Sequence, residues 1–412
     1  MKTRFKLFVV TLSTCLVILL LAGAMAGREA SSEGAYRQMK VFTEVLHRVK
    51  SDYVEEPDLK SVTLGALNGL LESIDPFASY LNAEQWKLYL KHRDGYKGDV
   101  GLVLAKRYGY VAVVSAMPGS PGAKAGLTTG DLIESIKGVA TRDMPLAYAE
   151  ILLKGEPGSK IELTLLRMRS PEPHKTELTR AIVAVPPVTS RMLPEQIGYI
   201  RPHSLIPGKA KEIAAAVSGL ERQGAKGLVL DLRQCAVGDS DEGIAVAGMF
   251  LDKGLVTYLS GQKHPRQDFR ADDSKTISKL PLVVVTNRGT ADGAEIAAAA
   301  LLENKRAEVV GERTFGDAAL RRPINMADGG AIILSVAKFY SPNGKAIQDT
   351  GVIPSVPFVE SEPFVEAEDE EAAPEREVKP EPDKPPEEDN LLKKAIEVLR
   401  KGGPQTAAIR TN

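Results

Sequence analysis

Cys235, Ser240 and Thr290, in the second half of the chain, carry groups that could attack a carbonyl carbon. Each would need a neutral base within hydrogen-bond reach, about 2.6–3.2 Å, and His203 and His264 are the imidazoles available to serve. Against that chemistry stands a simpler one. A lone histidine in a loop is more often solvated or packed, and Cys235 follows an apolar run in which a thiol acts as a small apolar side chain. A different activity is written in Val100-Gly101-Leu102, flanked by Gly98 and Val103. A glycine between two apolar residues lets adjacent amides turn toward a carboxylate, while the edge of the following strand can accept a peptide strand. Alone, such a triplet marks little more than the start of a strand.

The elements that must position these residues fall into distinct stretches. Met39, Phe42, Val45, Leu46 and Val49 recur at helical spacing over 36–49, and Leu64, Leu67, Leu70 and Leu71 predict a second helix over 62–74, ended by Asp75-Pro76. Asn82, followed by Glu84 and Gln85, caps a third helix carrying Trp86 and Leu90. From 98 to 167, short β-like runs (100–105, 110–115, 132–136, 160–167) alternate with Gly and Pro turns and one helix over 145–153. From Ile197 onward, apolar strands (197–200, 227–232, 282–286, 308–310) alternate with helices (209–222, 242–251, 294–302), the pattern of an α/β layer with a largely parallel sheet.

Within the first mixed module, Lys97-Gly98-Asp99-Val100-Gly101-Leu102-Val103, Ser120 to Leu127 and Gly130-Asp131-Leu132-Ile133 together resemble a PDZ domain of the kind found in bacterial envelope proteases. The resemblance implies that Gly98, Val100, Gly101, Leu102 and Val103 receive a polypeptide C-terminus, with the helix over 146–153 as the opposite wall. The α/β part, with Leu193 to Arg201, Gly227 to Arg233, 284–316, Lys338 to Gly344, Ile347-Gln348, Gly351 and Pro354, is similar to the carboxyl-terminal processing (tail-specific) peptidases. Asp75 to Leu81 continues the likeness, which covers nearly all of 36–358. Those peptidases are envelope serine endopeptidases in which a lysine activates the nucleophilic serine, workable because a buried lysine can be neutral.

This chain departs from the pattern where the chemistry sits. The nucleophile motif Gly-Thr-Ala-Ser-Ala-Ser-Glu reads here Gly289-Thr290-Ala291-Asp292-Gly293-Ala294-Glu295, so Asp292 occupies the serine position. After Gly311-Glu312-Arg313-Thr314-Phe315-Gly316 the general-base lysine is replaced by Asp317, with the family spacing kept, and Arg321 stands where a glutamine orients the base. The loop Asp-Leu-Arg-x-Asn-Pro-Gly-Gly, which helps build the oxyanion hole, appears as Asp231-Leu232-Arg233-Gln234-Cys235-Ala236-Val237-Gly238. The resemblance brings Asp292 and Asp317 together, and two ionised carboxylates repel. They can share a proton, bind a hard cation such as Ca²⁺ or Mg²⁺, or separate as Arg321 neutralises one, the outcome favoured here.

The ends of the chain add compartment and reach. Lys2, Arg4 and Lys6, an apolar run from Leu7 to Ala22, and Ala24-Met25-Ala26 predict an export signal over 1–26. An uncleaved inner-membrane anchor stays open, since the run is just short of the roughly 18 residues a spanning helix wants. Export would place the rest in a bacterial periplasm or cell envelope. Leu12-Ser13-Thr14-Cys15 is a poor lipoprotein box, and with Cys15 removed the lone Cys235 can form no internal disulfide. The formal charge of −1 hides an acidic stretch, 359–390, with fourteen acidic and three basic side chains. Its Glu/Pro-rich composition predicts a disordered tether, and 391–400 could add one amphipathic helix. The remaining body carries too little positive charge for nucleic-acid binding.

The expected architecture is a mixed α+β multidomain chain. It comprises a signal or anchor (1–26), a helical module (30–95), a PDZ domain (96–187), a peptidase-like α/β core of the ClpP/crotonase type (188–358), the acidic linker (359–390) and a C-terminal helix and tail (391–412). The expected function is capture of polypeptide C-termini or unstructured segments without cleavage, as an adaptor or regulator that could partner an active peptidase relative. The competing expectation is an active endopeptidase with a displaced centre. No cofactor is expected.

Overall fold

The computed structural model describes residues 13–14, 36–93, 97–142, 144–167, 170–359 and 389–402. The signal over 1–26 lies outside them except for residues 13–14, and the acidic linker lies outside them over 360–388. The chain divides into two units, Met1–Ala66 and Leu67–Asn412. In the first, helix α1 covers residues 36–52, with Met39, Phe42 and Val45 on its exposed surface. Asp58 then accepts bonds from Ser61 Oγ (2.7 Å) and the Lys60 amide (3.0 Å), satisfying orphan donors at the start of α2 (Leu59–Glu72).

In the second unit, β1 (Ser79–Leu81) and α3 (Ala83–Arg93) lead into the first mixed module. The α3 start is closed reciprocally: Asn82 Oδ1 accepts from the Gln85 amide and Gln85 Oε1 from the Asn82 amide. The module contains β2 (Leu102–Arg107), β3 (Tyr110–Ala116), a short turn of helix α4 (Pro121–Lys124), β4 (Leu132–Ile136), β5 (Val139–Ala140), α5 (Leu146–Leu153), β6 (Lys160–Arg167) and β7 (Ser170–Thr179). Its antiparallel sheet runs β2-β3-β4-β6-β7, with β5 paired to β4. Two consequences matter for function: β2 is an edge strand, and α5 packs beside it. Strand β2 starts two residues later than the sequence pattern predicts, because Gly101 turns the chain at φ +74° before pairing begins.

The larger core holds two sheets. Strands β8 (Thr189–Leu193), β9 (Ile197–Arg201) and β10 (Gly227–Asp231) join β13 (Leu282–Thr286), β14 (Glu308–Gly311) and β17 (Val356–Pro357) in the order β17-β14-β13-β10-β9-β8, parallel throughout except for β8. Strands β10 and β13 are buried at every position, as a sheet covered on both faces requires. One face is covered by α6 (Lys209–Arg222), α7 (Ser240–Gly248) and α8 (Gly293–Glu303). The other is covered by α9 (Asn390–Arg400), whose Leu391, Leu392, Ala395 and Leu399 pack on Ile197, Tyr199, Val229, Val283, Val285 and Val310.

The second sheet, absent from the sequence reading, is antiparallel. It joins β1, β11 (Leu255–Gly261), β12 (His264–Arg270), β15 (Ala319–Asn325) and β16 (Ala331–Tyr340). Its register places Ser79 opposite Ile333 and Tyr258 opposite Tyr340, whose rings stack at 4.8 Å. The core is therefore an α/β layer with an added antiparallel sheet. Among the described residues, no helix is long and apolar enough to cross a membrane.

Candidate functional site

Strand β13 ends at Thr286, and the chain turns through Asn287 to Ala291 into α8. That turn is held by its own polar groups. The Thr290 hydroxyl donates to the Leu232 carbonyl (2.8 Å) and accepts from the Asn287 amide (3.1 Å), while Asn287 Oδ1 accepts from the Gly289 and Gln234 amides (3.1 Å each). Thr290 is thus a buried structural residue. At the N-cap of α8, Asp292 has φ +53° and ψ −124°, a conformation costing a non-glycine residue of order 1–3 kcal/mol. A strained strand-to-helix turn of this kind lifts one side chain clear of the sheet, as a nucleophile elbow does. Glycines seat the elbow. A Cβ on Gly243 of α7 would lie 2.0 Å from the Gly293 carbonyl oxygen, and one on Gly293 would lie 2.4 Å from the Asp239 carbonyl oxygen.

Glu295, which sequence reasoning passed over, ties the elbow to the segment bearing Asp317. Fully buried one turn into α8, its Oε2 accepts from the Asp292 amide (3.1 Å) and the Asp317 amide (2.7 Å). Its Oε1 accepts from the Gly316 amide (2.7 Å) and the Thr314 hydroxyl. Burial pushes its carboxyl up to about 7 against the pull of these donors. The sequence signal that could have found it is the capping-box spacing from Asp292 to Glu295.

Asp292 and Asp317 lie near enough for the charge of one to act on the other. Burial raises the Asp292 carboxyl well above its ordinary range, the Asp317 charge raises it further, and Arg321 pulls it down. Burial likewise raises Asp317, with Arg321 acting in the opposite direction. Arg321 pairs directly with Asp317 and lies 4.2 Å above the Phe77 ring, a cation–π seat. Of the three outcomes open from the sequence, the geometry is that of one neutralised carboxylate. Among the described residues, no group of three or more His, Cys, Asp or Glu side chains could hold a metal ion, and Asp317 is already committed to Arg321. The crevice wall is completed by Asp75, whose carboxylate accepts from the Phe77 amide, the Ser335 amide and Gln348 Nε2, each at 3.0 Å.

The loop after β10, where Ala236-Val237 stand in place of the family's Pro-Gly, is firmly paired. The Leu205 amide donates to the Val237 carbonyl (2.7 Å), the Asp239 amide donates to the Leu205 carbonyl (2.9 Å), and Gly238 bridges Leu205 in parallel. The left-handed residue of this loop is Gln234, at φ +58°, and Gly238 is needed because a Cβ there would come within 2.8 Å of the Leu205 side chain.

Cys235 is buried beneath this loop, and burial, with the charges of Asp231 and Asp292 behind it, pushes its thiol far up. A thiol so held is no nucleophile. His203 is half-buried, and burial lowers its pKa; its charged neighbours are Arg201, Asp231 and Lys209. His264 opens β12 at the opposite part of the second sheet's order from β1. Among the described residues, no contact joins either histidine to Cys235, Ser240 or Thr290. The displaced-centre expectation thus finds no dyad among the residues named for it.

The first mixed module abuts the crevice. Its apolar cluster includes Phe77, Ala236 and Ala291, Phe315 packs against it, and Phe77 meets Phe315 edge-on at 5.9 Å. Ser115 Oγ donates to the Gln234 carbonyl at 3.1 Å. The Val100–Leu102 turn is pinned just upstream, where Gly98 pairs with Gly155 and Asp99 with Ala181. At Gly101 a Cβ would fall 2.3 Å from Ser120 Cβ, so glycine is obligatory there. Leu102 and Val103 follow into β2, partly buried beside α5. Of the residues expected to bind peptide, Leu102 and Val103 lie on the edge strand β2, and Gly98, Val100 and Gly101 precede it in the chain.

A model of peptidase family S41 matches residues 196–358, and a PDZ-domain model matches residues 113–167. The carboxy-terminal processing protease CtpA of Bacillus subtilis is 32% identical over 367 residues, covering 86% of this chain and 78% of that protein. The carboxy-terminal-processing protease of Bartonella bacilliformis is 31% identical over 362 residues, covering 86% and 82%. Among solved structures, the photosystem II D1 C-terminal processing protease superposes with a TM-score of 0.64 at 29% identity, covering 78% of this chain and 92% of that one.

Proposed function

We propose that this chain, which belongs to peptidase family S41 and is homologous to the carboxy-terminal processing proteases, captures polypeptide C-termini without cutting them. The observation that carries this reading is the pairing of Asp292, on the elbow, with Asp317, held by Arg321. A carboxylate that adds to an amide carbonyl is a far better leaving group than the amide nitrogen, so the adduct reverts to starting material. Nor does the pair suit aspartic-type hydrolysis, which needs two equivalent carboxylates around one water; here Arg321 holds one of them. Capture needs less. The open edge of β2 offers main-chain donors and acceptors to an added strand, and α5 supplies the facing wall. Exported by residues 1–26 and held there or released, the chain would act in the cell envelope as an adaptor or regulator, with an active relative as one candidate partner.

The test uses the full chain with an unstructured polypeptide ending in an apolar residue. Binding without cleavage is expected. Restoring the family pair with Asp292→Ser and Asp317→Lys is expected to recover only feeble hydrolysis, because Val237 and Arg321 remain. Wild-type cleavage that disappears in Asp292→Ala would overturn the reading.

A further inference from the structure

Deepening that proposal, and resting on it, we infer that the groove between β2 and α5 selects peptide tails carrying a lysine or arginine at the third residue from the end. In α5, Leu146, Glu150 and Leu153 are spaced i, i+4 and i+7 and so share one face. Leu146 and Leu153 belong to the apolar cluster that takes in Leu102 and Leu104 of β2, so this face is the one turned toward the strand. Glu150 is the exposed member between two buried leucines, a carboxylate set over an apolar trough. The protein around it raises its carboxyl, with Arg321 and Lys154 lowering it and Asp317 and Asp99 raising it.

Those neighbours define the charge an incoming tail meets. Asp317 is paired with Arg321, and Asp99 Oδ1 accepts the Gly101 amide at 2.9 Å, the very turn a terminal carboxylate would approach. Glu150 belongs to none of the described ion pairs. A tail entering with its own carboxylate therefore meets the carboxylates of Asp99 and Glu150, and an added positive side chain offsets their charge. Strand alternation fixes where that charge must sit. If the last side chain fills the apolar trough, the third-last points to the same side, toward Glu150, and the second-last points away.

The experiment measures fluorescence anisotropy of dye-labelled ten-residue peptides with an apolar last residue against the full chain. Three peptides are compared: lysine third-last, methionine third-last, and lysine second-last with methionine third-last. Lysine third-last is expected to bind about tenfold tighter than the other two, the size of one partly desolvated charge-assisted contact. The advantage of lysine over methionine at the third-last position should vanish in Glu150→Gln, and invert toward a third-last glutamate in Glu150→Lys. Equal binding of all three peptides, or an advantage that survives Glu150→Gln, overturns the inference and leaves peptide capture standing. No binding of any peptide overturns both.

Discussion

The crevice around Asp292 and the groove beside β2 abut within one compact unit, yet they depend on side chains in opposite ways. In the crevice, the strained turn at Asp292, the left-handed Gln234 and the glycine contact between α7 and α8 form a main-chain apparatus beneath the side chains at 292 and 317. Its chemistry hangs on two side-chain tips, at 292 and 317, and changing them leaves the supports beneath untouched. In the groove, the surface proposed for recognition is the main chain itself, available because β2 has no strand paired on one side. Side-chain exchange there can retune which peptide enters, but it cannot remove the edge. A scaffold of this kind can lose hydrolysis cheaply and lose capture only with difficulty.

The contrast is broken most severely at Glu295. Glu295→Ala strips the acceptor from the Asp292, Gly316 and Asp317 amides and the Thr314 hydroxyl at once. At about 1–3 kcal/mol for each buried donor left unpaired and not rescued by water, a total loss of about 3–5 kcal/mol is expected in urea unfolding. Glu150→Ala, on the groove, should stay within about 0.5 kcal/mol in the same measurement. Comparable losses in both variants would erase the distinction between support and rim.

A smaller effect is expected at Asp389. Its carboxylate caps α9 by accepting the Leu392 amide (2.8 Å) and pairs with Arg233 Nη1 and Nη2 at 3.0 and 2.6 Å, and Arg233 in turn binds Asp231. Losing cap and ion pair in Asp389→Ala should cost about 1–2 kcal/mol and increase hydrogen exchange in α9 before the rest of the core. Uniform protection across α9 and β10 would show that the apolar face of the helix suffices.

The smallest effect is electrostatic. Burial raises the carboxyls of Asp292, Asp317 and Glu295 in the folded chain. A carboxyl with a raised folded pKa binds its proton more tightly folded than unfolded, so stability present below the unfolded pKa falls as pH climbs through the folded one. For Glu295 that window runs from 4.5 to about 7. The melting temperature should therefore drop by a few degrees between pH 5 and pH 8, and Asp292→Asn should flatten part of the drop. A melting temperature that rises across that window would contradict the burial of these groups.

Much of this was legible in the sequence. Gly98 to Val103, Gly289 to Glu295 and Gly311 to Asp317 are short strings whose spacing can be read without alignment, and they pointed to the edge at β2 and to the two carboxylates. Arg321 sits four residues beyond Asp317, close enough for its role as counter-ion to be anticipated. The antiparallel sheet was missed because its pairings join distant segments, Ser79 with Ile333 and Leu259 with Phe339, and local periodicity carries no record of a partner. The C-terminal helix was legible as a helix, from Leu391, Leu392, Ala395 and Leu399 at helical spacing, but its seat was not. Its cap pairs with a residue 156 positions away.

By itself, then, the sequence determined the order of modules and the acidic identity of the two positions where a serine and a lysine would act, since both follow from residue types at fixed local separations. Only the tertiary structure decided what those residues do. It set Asp292 on a strained turn, gave Asp317 to Arg321, hung both from the buried Glu295, and left Glu150 exposed on the helix beside β2. The physical reason is that charge and hydrogen-bond energies depend on burial and on neighbours brought in from distant parts of the chain, and these exist only once the chain has closed.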